Sequence, residues 1–189
     1  SAPYANGGAF AINRDTSSNT TIMNCSFIGN TAVSGGAIYF NAANSNIIGC
    51  FFANDSATTS GGAVYSASVG SVVDSCVFKN CTAPSSNYFY QGNPITFRNT
   101  YFPEVYVGND GATGDSLDPN SLGSFSTAMS LVETNGIMYI VGSLTNFQNH
   151  NVNRAITIKP YNKNSNINLA GFNNRAFTIT ASGVTIRDL

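Results

Sequence analysis

Side chains with oxygen ligands are the first place to look for chemistry in this chain. Asn109, Asp110, Asp115 and Asp118 lie within ten residues that also contain two glycines, and a third glycine directly precedes them. Carboxylate and amide oxygens on a flexible loop are the ligands that Ca²⁺ prefers, so this loop is the candidate metal site. The alternative is a turn whose side chains bond to their own backbone. The loop departs from the EF-hand pattern and lacks its bidentate Glu.

The other titratable residues offer little for catalysis. Cleavage of a polysaccharide with Ca²⁺ needs several carboxylates on one strand face and a basic residue that takes the proton. Asp55, Asp74, Glu104 and Glu133 are scattered, with no cluster at a repeated spacing. His150 lies in a polar turn without a nucleophile or a second ligand beside it in the sequence. We therefore expect that the chain is not an enzyme and needs no cofactor other than the Ca²⁺ considered above.

Three cysteines lie at a regular interval, which predicts that they are stacked. Cys25, Cys50 and Cys76 recur about every 25 residues, and equivalent positions on stacked coils lie about 4.8 Å apart. Such cysteines would form an internal ladder of small apolar side chains. The same spacing also suits a disulfide, and a bridge between Cys50 and Cys76 is the alternative. Zinc is not expected, because the chain has no Cys-x-x-Cys pair.

A repeat indicates the elements that must position these side chains. Gly-Gly-Ala followed by an apolar residue occurs at 7–10, 35–38 and 61–64. An interval of about 26 residues is typical of structural units that stack on one another. The paired glycines Gly35-Gly36 and Gly61-Gly62 suit a turn with positive φ, or a place where two backbones approach closely.

Each repeat has the pattern of one coil with three short strands. An apolar strand precedes each cysteine of the ladder, and a phenylalanine follows two residues later. Asn30, Asn54 and Asn80 come next and suit left-handed corners whose amides hydrogen-bond from coil to coil. Alternation along each strand points one set of side chains inward. The candidates for this stacked interior are Ile22, Phe27, Ile38, Ile47, Phe52, Val64, Val72 and Phe78.

The second half of the chain begins with a strand and a turn-rich loop, followed by a predicted amphipathic helix near 121–134. Asp118-Pro119, Ser121 or Ser124 could begin this helix. Strand patterns follow, and a helix before the first coils is the expected cover for an open solenoid end. We therefore predict two sections, 1–103 and 104–189.

Composition excludes several classes of partner. Only 9% of residues are charged and the net charge is −1, so no basic patch favours nucleic acid or an anionic membrane. No apolar run approaches the ~20 residues that span a bilayer, and we expect no membrane insertion in this segment.

The motifs resemble those of known surface proteins. Gly35 to Ile38, with the Phe-x-x-Asn motifs 27–30 and 51–54, resembles the repeats of polymorphic outer membrane proteins and of adhesin-like surface proteins of methanogenic archaea. Residues 77–80 depart from this motif, with Val in place of Phe. Residues 104–189 resemble the opening of pectate-lyase-like right-handed β-helices. The resemblance implies an exported protein on a cell surface, with host or cell-wall glycans as partners.

We therefore expect an all-β, right-handed parallel β-helix with a structural or adhesive function outside the cell. A carbohydrate-binding or carbohydrate-cleaving module on the same fold is the alternative. The repeats precede the predicted cap, which is the reverse of the usual order in a β-helix. This order suggests a unit that stacks head to tail into a filament, or else a fragment of a large protein.

Overall fold

The chain is an all-β parallel solenoid with one short helix. The structure is a computed structural model that describes residues 5–13, 19–145, 147–170 and 174–189. The chain divides into two compact units, Ser1–Tyr101 and Phe102–Leu189. The predicted boundary after residue 103 is close to this division.

Short strands of the first unit stack into four sheets, in which every pairing between strands is parallel. The sheet orders are β1-β5-β9-β12, β13-β10-β6-β2, β11-β7-β3 and β4-β8. The strands are β1 Phe10–Asn13, β2 Thr21–Met23, β3 Ser26–Ile28, β4 Thr31–Ser34, β5 Ile38–Asn41, β6 Asn46–Ile48, β7 Phe51–Ala53, β8 Ser56–Ser60, β9 Val64–Ser66, β10 Val72–Asp74, β11 Val77–Lys79, β12 Phe89–Gln91 and β13 Thr96–Arg98.

The core of the first unit is built from the same side chain repeated on successive coils. The rings of Phe27, Phe52 and Phe78 are stacked, with centroids 5.0 Å and 4.9 Å apart. Ile47 pairs in register with Val73, which is buried, whereas the predicted core residue Val72 is only half-buried. The prediction for Val72 was wrong because this coil contains one residue more than the coil before it, and a shift of one residue reverses the face of a strand.

The second unit contains a six-stranded sheet in the order β15-β16-β14-β17-β20-β23. Strand β15 is antiparallel to β16, and the other pairings in this sheet are parallel. Two further pairs, β18-β21 and β19-β22, complete the coils. The strands are β14 Phe102–Val107, β15 Thr113–Asp118, β16 Ser121–Gly123, β17 Val132–Ile140, β18 Ser143–Leu144, β19 His150–Val152, β20 Thr157–Pro160, β21 Asn166–Ile167, β22 Phe177–Ile179 and β23 Thr185–Ile186.

Helix α1 spans Phe125–Leu131, so it is shorter than the predicted 121–134. It begins after Ser124, whose side-chain oxygen accepts a hydrogen bond from the Thr127 N–H, as an N-cap residue does. Residues 121–123 pair as strand β16 instead, and the β-branched Val132 begins strand β17. In the described residues no helix combines the length and the apolar character needed to cross a membrane.

Candidate functional site

The four predicted Ca²⁺ ligands have different partners in the structure. The Asn109 Oδ1 atom accepts a hydrogen bond from the Thr145 N–H at 3.0 Å. Asp115 and Asp118 each accept from a backbone N–H two residues later, at 3.0 Å and 2.6 Å, which is the geometry of an Asx turn. The described part of the chain contains no group of three or more His, Cys, Asp or Glu side chains that could hold a metal ion. The contacts of Asp115 and Asp118 therefore match the turn alternative, whereas Asn109 contacts a distant part of the chain.

Asp110 has a different partner, the imidazole of His150. The distance from Asp110 Oδ1 to His150 Nε2 is 3.0 Å, but the alignment does not meet the geometry of a hydrogen bond, so we describe it as a close polar contact. Burial lowers the pKa of His150, and the Asp110 carboxylate opposes that shift. The net shift favours the uncharged imidazole. Sequence reasoning missed this pair because its members are distant in the chain.

Aromatic rings pack around His150 on the side away from solvent. The rings of Phe125 and Phe147 lie 4.5 Å and 4.1 Å from the imidazole, centroid to centroid. Phe177 lies 5.9 Å from Phe125 and 5.6 Å from Phe147. This cluster attaches helix α1 to the coils of the second unit, which accounts for the burial of His150.

An open groove of ≈ 450 Å³ borders this cluster. Its lining includes the buried apolar residues Phe125 and Met129, the asparagines at 149, 151 and 153, and Arg154. The two serines of the groove bond within or beside the helix: Ser130 donates to the Thr127 carbonyl, and Ser126 shares a hydrogen bond with Ser124. The groove thus combines polar and apolar residues in one lining.

The predicted cysteine ladder is present, and its members do more than pack. Cys25, Cys50 and Cys76 lie in register on successive coils, directly before strands β3, β7 and β11. All four cysteines of the chain are free thiols. Each ladder thiol donates to the carbonyl two residues earlier, at 3.2, 3.4 and 3.3 Å respectively. Burial raises the pKa of Cys50, and it raises that of Cys76 to about 11.

The asparagine ladder is corrected by the structure. Asn54 and Asn80 occupy equivalent corners with φ of 55° and 50°, but the same corner in the preceding coil is Gly29, with φ of 69°. Asn30 comes one residue later and pairs with Asp55. The prediction was wrong for Asn30 because Ile28 pairs with Ala53, which places Gly29 and not Asn30 at the position equivalent to Asn54. The column Thr31, Ser56 and Thr82 was the sequence signal that would have given the register.

Asp55 is a buried carboxylate that the sequence analysis did not single out. Its Oδ1 atom accepts hydrogen bonds from the backbone N–H and the side-chain amide of Asn30, both at 2.8 Å. Its Oδ2 atom is buried without a hydrogen-bond partner. Burial raises the pKa of Asp55, and the two bonds from Asn30 oppose this shift. Cys81 occupies the position in the next coil that is equivalent to Asp55. Burial raises the pKa of the Cys81 thiol to about 11.

The paired glycines serve both purposes that were predicted. Gly35 and Gly61 have φ of 62° and 65°, a conformation that most residues avoid. A Cβ atom on Gly36 would lie 2.0 Å from the Gly62 carbonyl oxygen, and one on Gly62 would lie 2.0 Å from the Asn87 carbonyl oxygen. The first glycine of each pair therefore forms the turn, and the second allows successive coils to touch.

A row of tyrosines on the outer side of the first unit was also missed. Tyr39, Tyr65 and Tyr90 are half-buried and stacked, with ring centroids 4.9 Å and 4.7 Å apart. Because the rings cover one another, the faces of the middle ring are hidden from solvent. The row thus resembles the phenylalanine ladder more than it resembles a platform for a ligand.

No family model, no curated protein and no solved structure matches this chain. The parallel solenoid is observed in the structure. The resemblance to adhesin repeats therefore stays a hypothesis.

Proposed function

We propose that this chain is a structural or adhesive β-solenoid displayed on a cell surface. The observation that carries the proposal is the in-register stacking of Phe27, Phe52 and Phe78 between parallel coils. Identical side chains at the strand spacing, with backbone hydrogen bonds between the coils, give the extended and cohesive assembly that an extracellular scaffold needs. The proposal assigns no enzymatic role and no cofactor.

The mechanism proposed is mechanical. The hydrogen bonds between coils run along the stacking direction, and few charges are present to be screened or titrated. Only 9% of residues are charged, so cohesion depends on packing and backbone pairing rather than on ion pairs. Such a scaffold holds a partner or a neighbouring domain away from the surface that bears it.

Location is the first part of the proposal to test. The full gene product would be followed in its own cells by antibody labelling and by protease treatment without lysis. We expect labelling of intact cells and proteolytic release of fragments from their surface. Labelling that requires permeabilised cells would overturn the proposed location.

The mechanical part is tested by pulling single molecules that are tethered on both sides of the first unit. We expect one or a few cooperative force peaks, which Phe52→Ala should lower because this ring is fully buried between two others. Ile28→Ala is the matched control, since Ile28 is 62% exposed. Equal responses of the two variants would contradict a mechanical role for the ladder.

A carbohydrate-binding role is the second candidate, and the groove beside His150 favours it. A lining that contains both asparagines and the apolar residues Phe125 and Met129 is suited to the hydroxyls and the C–H faces of a sugar. A panel of neutral and charged oligosaccharides, titrated against the chain by calorimetry, tests this role. Binding that Ser130→Trp abolishes by filling the groove would support it, and heats of dilution alone would remove it.

Head-to-tail association is a further part of the proposal. Among the residues that the structure describes, strand β1 is the end strand of its sheet, and Phe10 on this strand is 49% exposed. A sheet edge with an exposed apolar side chain favours pairing with another chain. Sedimentation over a range of concentrations tests it, and a monomer at every concentration would refute it.

A further inference from the structure

Cys25 and Cys50 are consecutive members of the cysteine ladder. The residues that follow them, Ser26 and Phe51, pair directly in the parallel register of strands β3 and β7. In-register residues on adjacent strands lie about 4.8 Å apart. A disulfide accepts Cα separations of about 4.4–6.8 Å, so the backbone of the two coils already has a suitable spacing.

The two cysteines differ in how accessible and how constrained they are. Cys25 is half-buried, whereas Cys50 is 1% exposed. Cys25 also lies between strands β2 and β3, and both are edge strands of their sheets in the described part of the chain. An edge strand is held from one side only, so Cys25 can both meet a reagent and move toward Cys50.

We propose that Cys25 and Cys50 are a disulfide-forming pair, with Cys25 as the thiol that reacts first. The reaction partner is a small disulfide such as oxidised glutathione. The proposal is independent of the function proposed above, because it depends only on the ladder.

The exchange balances in two steps. The Cys25 thiol loses its proton, and the sulfur attacks the S–S bond of glutathione disulfide, which forms a mixed disulfide and releases one glutathione. The Cys50 thiol then loses its proton and attacks the Cys25 sulfur, which releases a second glutathione. Two protein thiols are oxidised, and one glutathione disulfide is reduced to two thiols.

The other neighbouring pair, Cys50 and Cys76, is less suited to this reaction. Both cysteines are at least 98% buried, and strands β6, β7 and β10 beside them have neighbours on both sides. The remaining strand, β11, pairs with β7 on one side and is bridged to Tyr101 through Val77 on the other. Burial raises the pKa of Cys76 to about 11, so its reactive thiolate is scarce at neutral pH. Neither thiol of this pair can begin the exchange while the coils remain closed.

The experiment exposes the full chain at pH 8 to mixtures of reduced and oxidised glutathione, followed by alkylation of free thiols. Chymotrypsin then separates Cys25 from Cys50 by cleavage after Phe27, Tyr39 or Phe40. Mass spectrometry under non-reducing conditions should find the Cys25 and Cys50 peptides joined, and Cys76 alkylated only after denaturation. The oxidised chain should melt about 5 °C or more above the reduced chain, because the bridge restricts the unfolded state.

Serine variants separate the roles of the three thiols, since a hydroxyl can donate the same hydrogen bond. Cys25→Ser and Cys50→Ser should each abolish the bridge and the rise in melting temperature, while Cys76→Ser should leave both intact. Circular dichroism of the reduced variants reports whether the fold is kept. A mixed disulfide at Cys25 that never resolves, a Cys50–Cys76 bridge, or a dimer through Cys25 would each overturn the proposal.

Discussion

The hydroxyl of Thr100 replaces the thiol of Cys76 in the next coil. The Cys76 Sγ atom donates to the Asp74 carbonyl at 3.3 Å and to the Ile47 carbonyl at 3.6 Å. The Thr100 Oγ1 atom donates to the Arg98 carbonyl at 2.8 Å and lies 3.3 Å from the Val73 carbonyl oxygen. The position therefore selects a small donor that bonds two residues back, and sulfur is one way to provide it.

The first prediction follows from this equivalence. Thr100→Val keeps the shape of the side chain but removes the hydroxyl that accepts from the Cys76 N–H at 3.2 Å. Because this N–H is buried, we expect a loss of about 1–3 kcal/mol in the free energy of unfolding. Thr100→Ser keeps the hydroxyl and should lose less. Urea denaturation of the three proteins measures the difference, and equal losses for both variants would contradict the role of the Thr100 hydroxyl.

The second prediction concerns the pH dependence that Asp55 confers. Burial raises its pKa in the folded state above the unfolded value, so folding favours the protonated carboxyl. Its contribution to stability is fully present below the unfolded pKa near 3.8 and is lost as pH rises through the folded value. Asp55→Asn should remove this decline and should raise the melting temperature at pH 7 relative to the wild type.

The control for this experiment is Asp188→Asn, because the side chain of Asp188 is 71% exposed. Melting temperatures are measured from pH 3 to pH 8 for both variants. The slope of melting temperature against pH should change in the Asp55 variant and not in the Asp188 variant. A wild-type profile that rises through this range, with no difference for Asp55→Asn, would refute the prediction.

The third prediction compares two glycines with different constraints. Gly36→Ala should prevent the close contact with the Gly62 carbonyl and unfold part of the first unit, because the clash is with backbone. Gly29→Asn should be tolerated within about 1 kcal/mol, since Asn54 and Asn80 adopt the same positive φ at equivalent corners. Thermal melts and soluble yield measure both, and a stable Gly36→Ala variant would contradict the assigned contact.

The fourth prediction concerns Ca²⁺. Asp110, Asp115 and Asp118 contact an imidazole or backbone N–H groups, so we expect millimolar Ca²⁺ or EDTA to leave the melting temperature unchanged. Asp118→Ala should still destabilise the second unit, by about 1 kcal/mol, through loss of the Asn120 hydrogen bond. A rise of several degrees with Ca²⁺ that this variant abolishes would restore the metal site.

The fold was predictable because motifs that recur at a regular interval indicate coils that stack on one another. The glycine pairs and the cysteine interval were sufficient to predict parallel stacked coils, and Ser124 was among the predicted helix starts. Residue-level register was harder, because coils differ in length by one or two residues. That variation moved Val72 away from its predicted position, and Gly29 rather than Asn30 occupies the corner equivalent to Asn54.

The candidate site was less predictable, since it depends on contacts between distant segments. Nothing in the turn around His150 indicates that Asp110 approaches it, or that Phe125 packs against its ring. The burial of Asp55 was equally hidden, because the residue looks like any polar turn residue until Asn30 is known to lie beside it. Local sequence patterns indicate which face of a strand is buried and where turns lie. Contacts between distant residues form only when the coils pack together.

The corners of the first unit require a positive φ and accept several types of side chain. Asn24, Gly49, Ser75 and Asn99 occupy one such corner on four successive coils, with φ between 43° and 61°. Such a corner can therefore change its residue type while the path of the coil in space is preserved. Coils that arose from one ancestral coil would lose detectable sequence similarity long before their shared architecture changed.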